Sequence, residues 1–123
     1  MDTLGNVTAD YMKQFLQIEH GAPIVCLCGS TRFKEVFLDV NRTLTLNGHI
    51  VLAPGVFGHA GDAITEEQKQ MLDMLHFEKV AMADWICVIN VNGYIGESTT
   101  REMKMARTMG KPIFCINEGE WIV

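Results

Sequence analysis

Four short apolar runs, separated by segments of helical period, constrain this chain more than any other feature. They are PIVCLC at 23–28, HIVLA at 49–53, WICVINV at 85–91 and PIFCIN at 112–117. Each is rich in β-branched residues and lacks the polar alternation of a strand with one wet face. Strands that are apolar throughout are buried on both faces, which is the mark of parallel sheet covered by helices.

The intervening segments supply those helices. Phe33, Val36, Phe37, Val40 and Leu44 fall on one face of a helix expected over 31–47, which Asn47-Gly48 stops. Thr65-Glu66-Glu67-Gln68 fits a capping box that opens a second helix, with Leu72, Leu75 and Val80 as its apolar stripe. A third, over 98–109, places Met103, Ala106 and Met109 on one side and ends at Gly110. The order is βαβαβαβ, preceded by an amphipathic segment at 8–20. With right-handed crossovers it predicts one α/β domain, Rossmann-like or flavodoxin-like and doubly wound. The expected sheet is mainly parallel, of about four strands in the order 2-1-3-4, with helices on both faces. The 123 residues suit a single domain, read as a helical extension at 1–21 and a core at 22–117.

Composition excludes some partners. Ten Lys and Arg against 15 Asp and Glu give a net charge of −5, which disfavours a nucleic-acid polymer as partner. No apolar run reaches the roughly 18 residues of a membrane span. The N-terminus lacks the basic and apolar regions of a signal peptide, so a cytoplasmic protein without membrane partners is expected. The four cysteines, Cys26, Cys28, Cys87 and Cys115, lie inside apolar runs and form no C-x-x-C. They read as reduced, buried structural thiols, although Cys26 and Cys28 alternate and share a strand face. The four histidines show no metal-ligand spacing, and the expectation is no metal and no cofactor.

In open parallel sheets ligands bind beyond the C-terminal strand ends. That rule selects three loops. Gly29, Ser30, Thr31 and Arg32 join the first strand to a helix; they make either an anion cradle or a plain helix cap. The loop at 54–62 carries three glycines, with His59 and Asp62 as candidate contacts to a sugar or base and Phe57 as a stacking surface. The third loop, at 90–102, contains Asn90, Gly96, Ser98, Thr99 and Glu102. Ser98 and Thr99 stand at a helix N-terminus that suits an anion. Glu102 has two readings: nucleophile or base near the strand ends, or N3 of a Thr99-Thr100-Arg101-Glu102 capping box. His76 lies in line with Leu72 and Val80 on an apolar stripe, where a hydrogen-bonded core histidine is the plain reading.

Taken together, Cys28-Gly29-Ser30-Thr31-Arg32, Gly48 before HIVLAP, Ala83-Asp84 before the third strand, and Ser98-Thr99-Thr100-Arg101-Glu102 with Ala106 beyond resemble the nucleoside 2-deoxyribosyltransferase-like superfamily. That group includes base-exchanging transferases and 2′-deoxynucleoside 5′-phosphate N-hydrolases, and the resemblance covers 24–116. It implies a nucleoside or nucleotide as small-molecule partner and a homodimer or higher homo-oligomer. It implies Glu102 as the nucleophile that forms a glycosyl-enzyme. Ser30, Thr31, Ser98 and Thr99 become candidates for holding a phosphate, with Arg32 positioning the substrate. Two positions depart from the family pattern. Ser98 stands where a Gly is common, and His76 stands where the hydrolase branch has an Asp that handles the leaving-group proton. A His can supply that proton, and Asp73, one turn earlier, is a second candidate. A non-catalytic nucleotide-binding module, and a phosphoribohydrolase of the lysine-decarboxylase-like group, are the competing readings. The absence of Pro-Gly-Gly before Ser98 counts against the latter.

Overall fold

The computed structural model describes residues 4–122. It contains a five-stranded sheet in the order β2-β1-β3-β4-β5. The strands are β1 (Ile24–Gly29), β2 (Ile50–Leu52), β3 (Trp85–Ile89), β4 (Ile113–Cys115) and β5 (Glu120–Ile122). The first four run parallel, in the expected order, and β5 pairs antiparallel with β4. The chain therefore has one strand more than its apolar runs announce. β5 opens on the charged, exposed Glu120 and forms no apolar run like those of β2 and β4, and it follows a tight turn in which Gly119 takes φ 66°.

Among the described residues, four α-helices flank the sheet: α1 (Ala9–Leu16), α2 (Lys34–Leu46), α3 (Glu66–Met82) and α4 (Glu97–Thr108). Alternation along the strands divides the core in two. Val25, Leu27, Trp85, Cys87, Ile89 and Phe114 point to one face, where Leu4, Val7, Met12, Phe37, Val40 and Leu44 cover them. Cys26, Cys28, Ile86, Val88, Ile113 and Cys115 point to the other, where Val80 of α3 and Met103 and Ala106 of α4 close over them. This is a doubly wound α/β domain, and its central strands β1 and β3 are buried on both faces, as their composition requires. Among the described residues, no helix is long and apolar enough to cross a membrane.

The helices keep most of their expected faces. The Thr65 capping box is present: Thr65 Oγ1 accepts from Gln68 N at 3.1 Å, and Gln68 Oε1 accepts from Thr65 N at 2.9 Å. The α3 stripe is narrower than expected. Val80 is buried and Leu72 half-buried, but Leu75 is 42% exposed. His76 takes the buried position instead. Met109, expected on the inner side of α4, is likewise exposed.

The decisive local difference lies at the start of α4. Gly96, with extended backbone at φ −84° and ψ 179°, is the N-cap, so the helix begins three residues before a Thr99 cap would start it. Thr100 N donates to Gly96 O at 3.0 Å, which closes the first turn. Glu102 thus lies a turn and a half inside α4 and cannot be N3 of a capping box. Its carboxylate is turned inward, and the residue is 7% exposed.

Candidate functional site

The connections β1–α2, β2–α3 and β3–α4 leave the same edge of the sheet, at the C-terminal strand ends. Because β2 and β3 lie on opposite sides of β1, their loops diverge and open a crevice above the β1–β3 pair. The crevice measures about 560 Å³. Of the residues singled out from sequence, Gly29, Ser30, Thr31, Arg32, His59, Asp73, His76, Gly96, Ser98, Thr99 and Glu102 line it. Gly29 lies against the end of β3: a Cβ there would meet Ile89 O at 2.7 Å.

Asp62 and Asn90 are outside the lining. Asp62 Oδ2 accepts from Phe57 N at 2.8 Å and so braces its own loop. Asn90 is 2% exposed. Its Nδ2 donates to Glu118 Oε2 at 2.9 Å, and its Oδ1 accepts from Asn117 N at 2.9 Å, which ties the end of β3 to the β4–β5 turn.

At the floor, α3 and α4 bring His76 and Glu102 together across the end of β1. His76 Nε2 is 3.8 Å from Glu102 Oε1 and 3.6 Å from the sulfur of Cys26. Burial pushes the Glu102 carboxyl up to about 7, and the attraction of His76 only partly opposes it. Burial pulls His76 the other way, down, but the Cys26 sulfur and the Glu102 carboxylate outweigh it and its pKa is raised. A hydrogen bond from Cys28 brings the Cys26 thiol down to about 6 against its own burial, while Cys28 is pushed up. Asp73 lies in the cleft wall one turn away and is ion-paired to Lys69 at 3.4 Å. His76, not Asp73, faces Glu102.

No family model matches the chain, and no curated protein matches it.

The rim of the cleft is polar and partly self-satisfied. Ser30 Oγ accepts from Arg32 N at 3.3 Å and from Arg32 Nε at 3.1 Å, so this hydroxyl does cap its turn. Thr31 Oγ1 accepts from His59 N at 3.2 Å and links the first two loops. Arg32 is exposed but not free: its guanidinium lies 4.5 Å from the centre of the Tyr94 ring, and Nη2 donates to the phenol oxygen at 3.4 Å. The N-terminus of α4 faces the cleft through Gly96, Glu97, Ser98 and Thr99, and no side chain caps it. Uncapped N–H groups at a helix start are a natural seat for an anion.

Sequence reasoning does not single out Lys79 or Tyr94, nor the approach of His76 to Cys26 and Cys28. Lys79 lines the cleft and is one turn beyond His76, so its helical spacing could have found it; its Nζ donates to Ala53 O at 2.8 Å. Tyr94 left no signal beyond its place in the third loop. Cys26 and Cys28 were legible as sharing a face, but only the packing of α3 brings His76 onto them.

Proposed function

We propose that this cleft breaks the N-glycosidic bond of a nucleoside or nucleoside 5′-monophosphate, by hydrolysis or by exchange of the base. The observation that carries the reading is the buried carboxylate–imidazole pair, Glu102 and His76, at the floor of a crevice large enough for a nucleotide. Glu102 caps no helix, and burial holds its pKa near neutrality, a placement suited to chemistry rather than to stability.

The steps follow the double displacement of retaining glycosidases. The reactive state has Glu102 ionised and His76 protonated. A Glu102 oxygen attacks C1′ as the C1′–N bond breaks. The bond's electron pair goes to the base nitrogen, which takes the proton from His76. The glycosyl ester is then attacked at C1′ by water, whose proton passes to His76. The bond to Glu102 breaks and the carboxylate returns. A second base in place of water gives the exchange reaction. The uncapped start of α4 and Arg32 suit a 5′-phosphate at the rim, which favours monophosphates within the substrate class.

The same reading takes the protein as a cytoplasmic homo-oligomer. Met71, Met74, Leu75 and Met82 leave an exposed apolar stretch on α3 beside the cleft, where a second copy would complete the wall. Met74→Lys should shift the sedimenting species toward monomer, and a wild-type monomer would remove this part.

The activity is tested by incubating the protein with ribo- and deoxyribonucleosides and their 5′-monophosphates, with and without an added base, and separating the products. Free base from the wild type and none from Glu102→Gln is expected. No release from any substrate, with a ligand still raising the melting temperature, would instead make the protein a nucleotide-binding module without catalysis.

A further inference from the structure

The floor of the cleft holds more donor atoms than the glycosidic reading uses. Cys26 and Cys28 project from the same face of β1, both fully buried, and His76 reaches them from α3. The two sulfurs and a ring nitrogen of His76 all lie within 4.8 Å of one another. Two thiols and an imidazole converging at one point are unusual for a core face, because three apolar side chains would fill the same volume without burying polar atoms.

We propose that Cys26, Cys28 and His76 form a binding site for a thiophilic divalent cation of the zinc type, with Glu102 as the fourth donor. The separation of Cys26 and His76 agrees with such a site. With metal–sulfur bonds of about 2.3 Å and metal–nitrogen bonds of about 2.0 Å, a tetrahedral site sets sulfur and nitrogen about 3.5 Å apart. Cys26 Sγ and His76 Nε2 are separated by 3.6 Å. The fourth donor lies close to its place, with Glu102 Oε1 at 3.8 Å from the same nitrogen against about 3.3 Å in a tetrahedral site. Sulfur and imidazole together select a soft or borderline cation over magnesium or calcium. The cation enters through the cleft, which His76 and Glu102 line.

Charge also balances. As the cation binds, the thiol protons pass to solvent, leaving two thiolates, a neutral imidazole and one carboxylate around a double positive charge. The remaining negative charge faces Lys79, whose ammonium acts on Cys26 from the next turn of α3. Binding occupies the Nε2 lone pair and a Glu102 oxygen. A loaded site and a His76 proton donor are thus alternative states of one floor. The proposal goes beyond the glycosidic reading and does not depend on it, because metal binding is measured without substrate.

The test adds cobalt(II) to the reduced, metal-free protein and follows absorption, then displaces it with zinc(II). One cobalt per chain is expected, with thiolate-to-metal charge-transfer bands and the visible bands of a tetrahedral ion. Cys26→Ala and Cys28→Ala should each lose most of the charge-transfer intensity. Cys87→Ala, on the opposite face of the sheet, should keep it. His76→Gln should weaken binding by more than about tenfold while thiolate bands persist. Absence of thiolate bands in the folded wild type overturns the proposal even if a cysteine variant fails to fold. Full bands in both folded cysteine variants overturn it equally.

Discussion

Replacing Glu102 by Gln should stabilise this protein at alkaline pH while abolishing its proposed activity. The carboxyl has an ordinary value of 4.5, and burial raises it to about 7. A carboxyl raised on folding stabilises the native state at low pH, and that contribution is lost as pH climbs from the unfolded value through the folded one. Below 4.5 the side chain is neutral in both states and Gln is an equivalent. Above 7 the native state holds a charge in a nearly dry site. The rise converts, at about 1.4 kcal/mol per unit, to a cost of about 3 kcal/mol that the amide does not bear. That figure already contains the attraction of His76, which lowers the carboxyl against its burial. For a domain of this size it is roughly 10 °C in Tm. Thermal or urea unfolding of both proteins between pH 5 and 8.5 measures it. The gap should be small at pH 5, open through neutrality and level off above pH 8. A variant less stable than wild type at pH 8 would refute the reasoning, because Glu102 would then be a supporting ion-pair partner and not a carboxylate held at a cost.

Other outcomes follow from the same geometry. His76→Gln should lower base release by about 10²–10⁴-fold, with the smallest loss on substrates whose leaving base needs no proton. The wild-type rate should be bell-shaped in pH, its acid limb set by ionisation of Glu102 near 7 and its alkaline limb by deprotonation of His76; a flat alkaline limb would remove His76 as donor. Gly29→Ala should cost about 1–3 kcal/mol, since its Cβ meets backbone that cannot move aside, while Gly55→Ala, with nothing within 4 Å, should be nearly neutral in urea unfolding. Asn90→Ala should cost about 1–3 kcal/mol by loss of its bonds to Glu118 and Asn117, and leave ligand affinity at the cleft unchanged in calorimetry.

Much of the architecture is legible because it rests on composition. Strands buried on both faces must be apolar throughout, so β1, β3 and β4 announce themselves; right-handed crossovers then make the sheet doubly wound, while the order β2-β1-β3-β4 is one of several they allow. What was not legible depends on local geometry or on tertiary packing. β5 begins with Glu120 and carries no apolar run. Thr99-Thr100-Arg101-Glu102 fits a capping box locally, yet α4 starts at Glu97 with Gly96 as its N-cap, which carries Glu102 past the first turn. His76 looked like a core histidine in line with Leu72 and Val80. It is buried, but its partners are a cysteine fifty positions earlier and a glutamate on another helix, which no spacing within α3 could reveal. Asn90 and Asp62 belong to loops at the C-terminal strand ends, yet their side chains hold those loops in shape.

The central claim is that Glu102 becomes covalently bonded to a sugar. The most direct measurement follows the intact mass of the protein after brief exposure to a substrate found to release its base, or to a fluorinated analogue whose ester hydrolyses slowly, and then maps the adduct by peptide sequencing. A mass increase of one glycosyl residue, located on Glu102 and absent from Glu102→Gln, is the predicted result. Base release with full rate in Glu102→Gln, or an adduct mapped to another residue, would contradict the account.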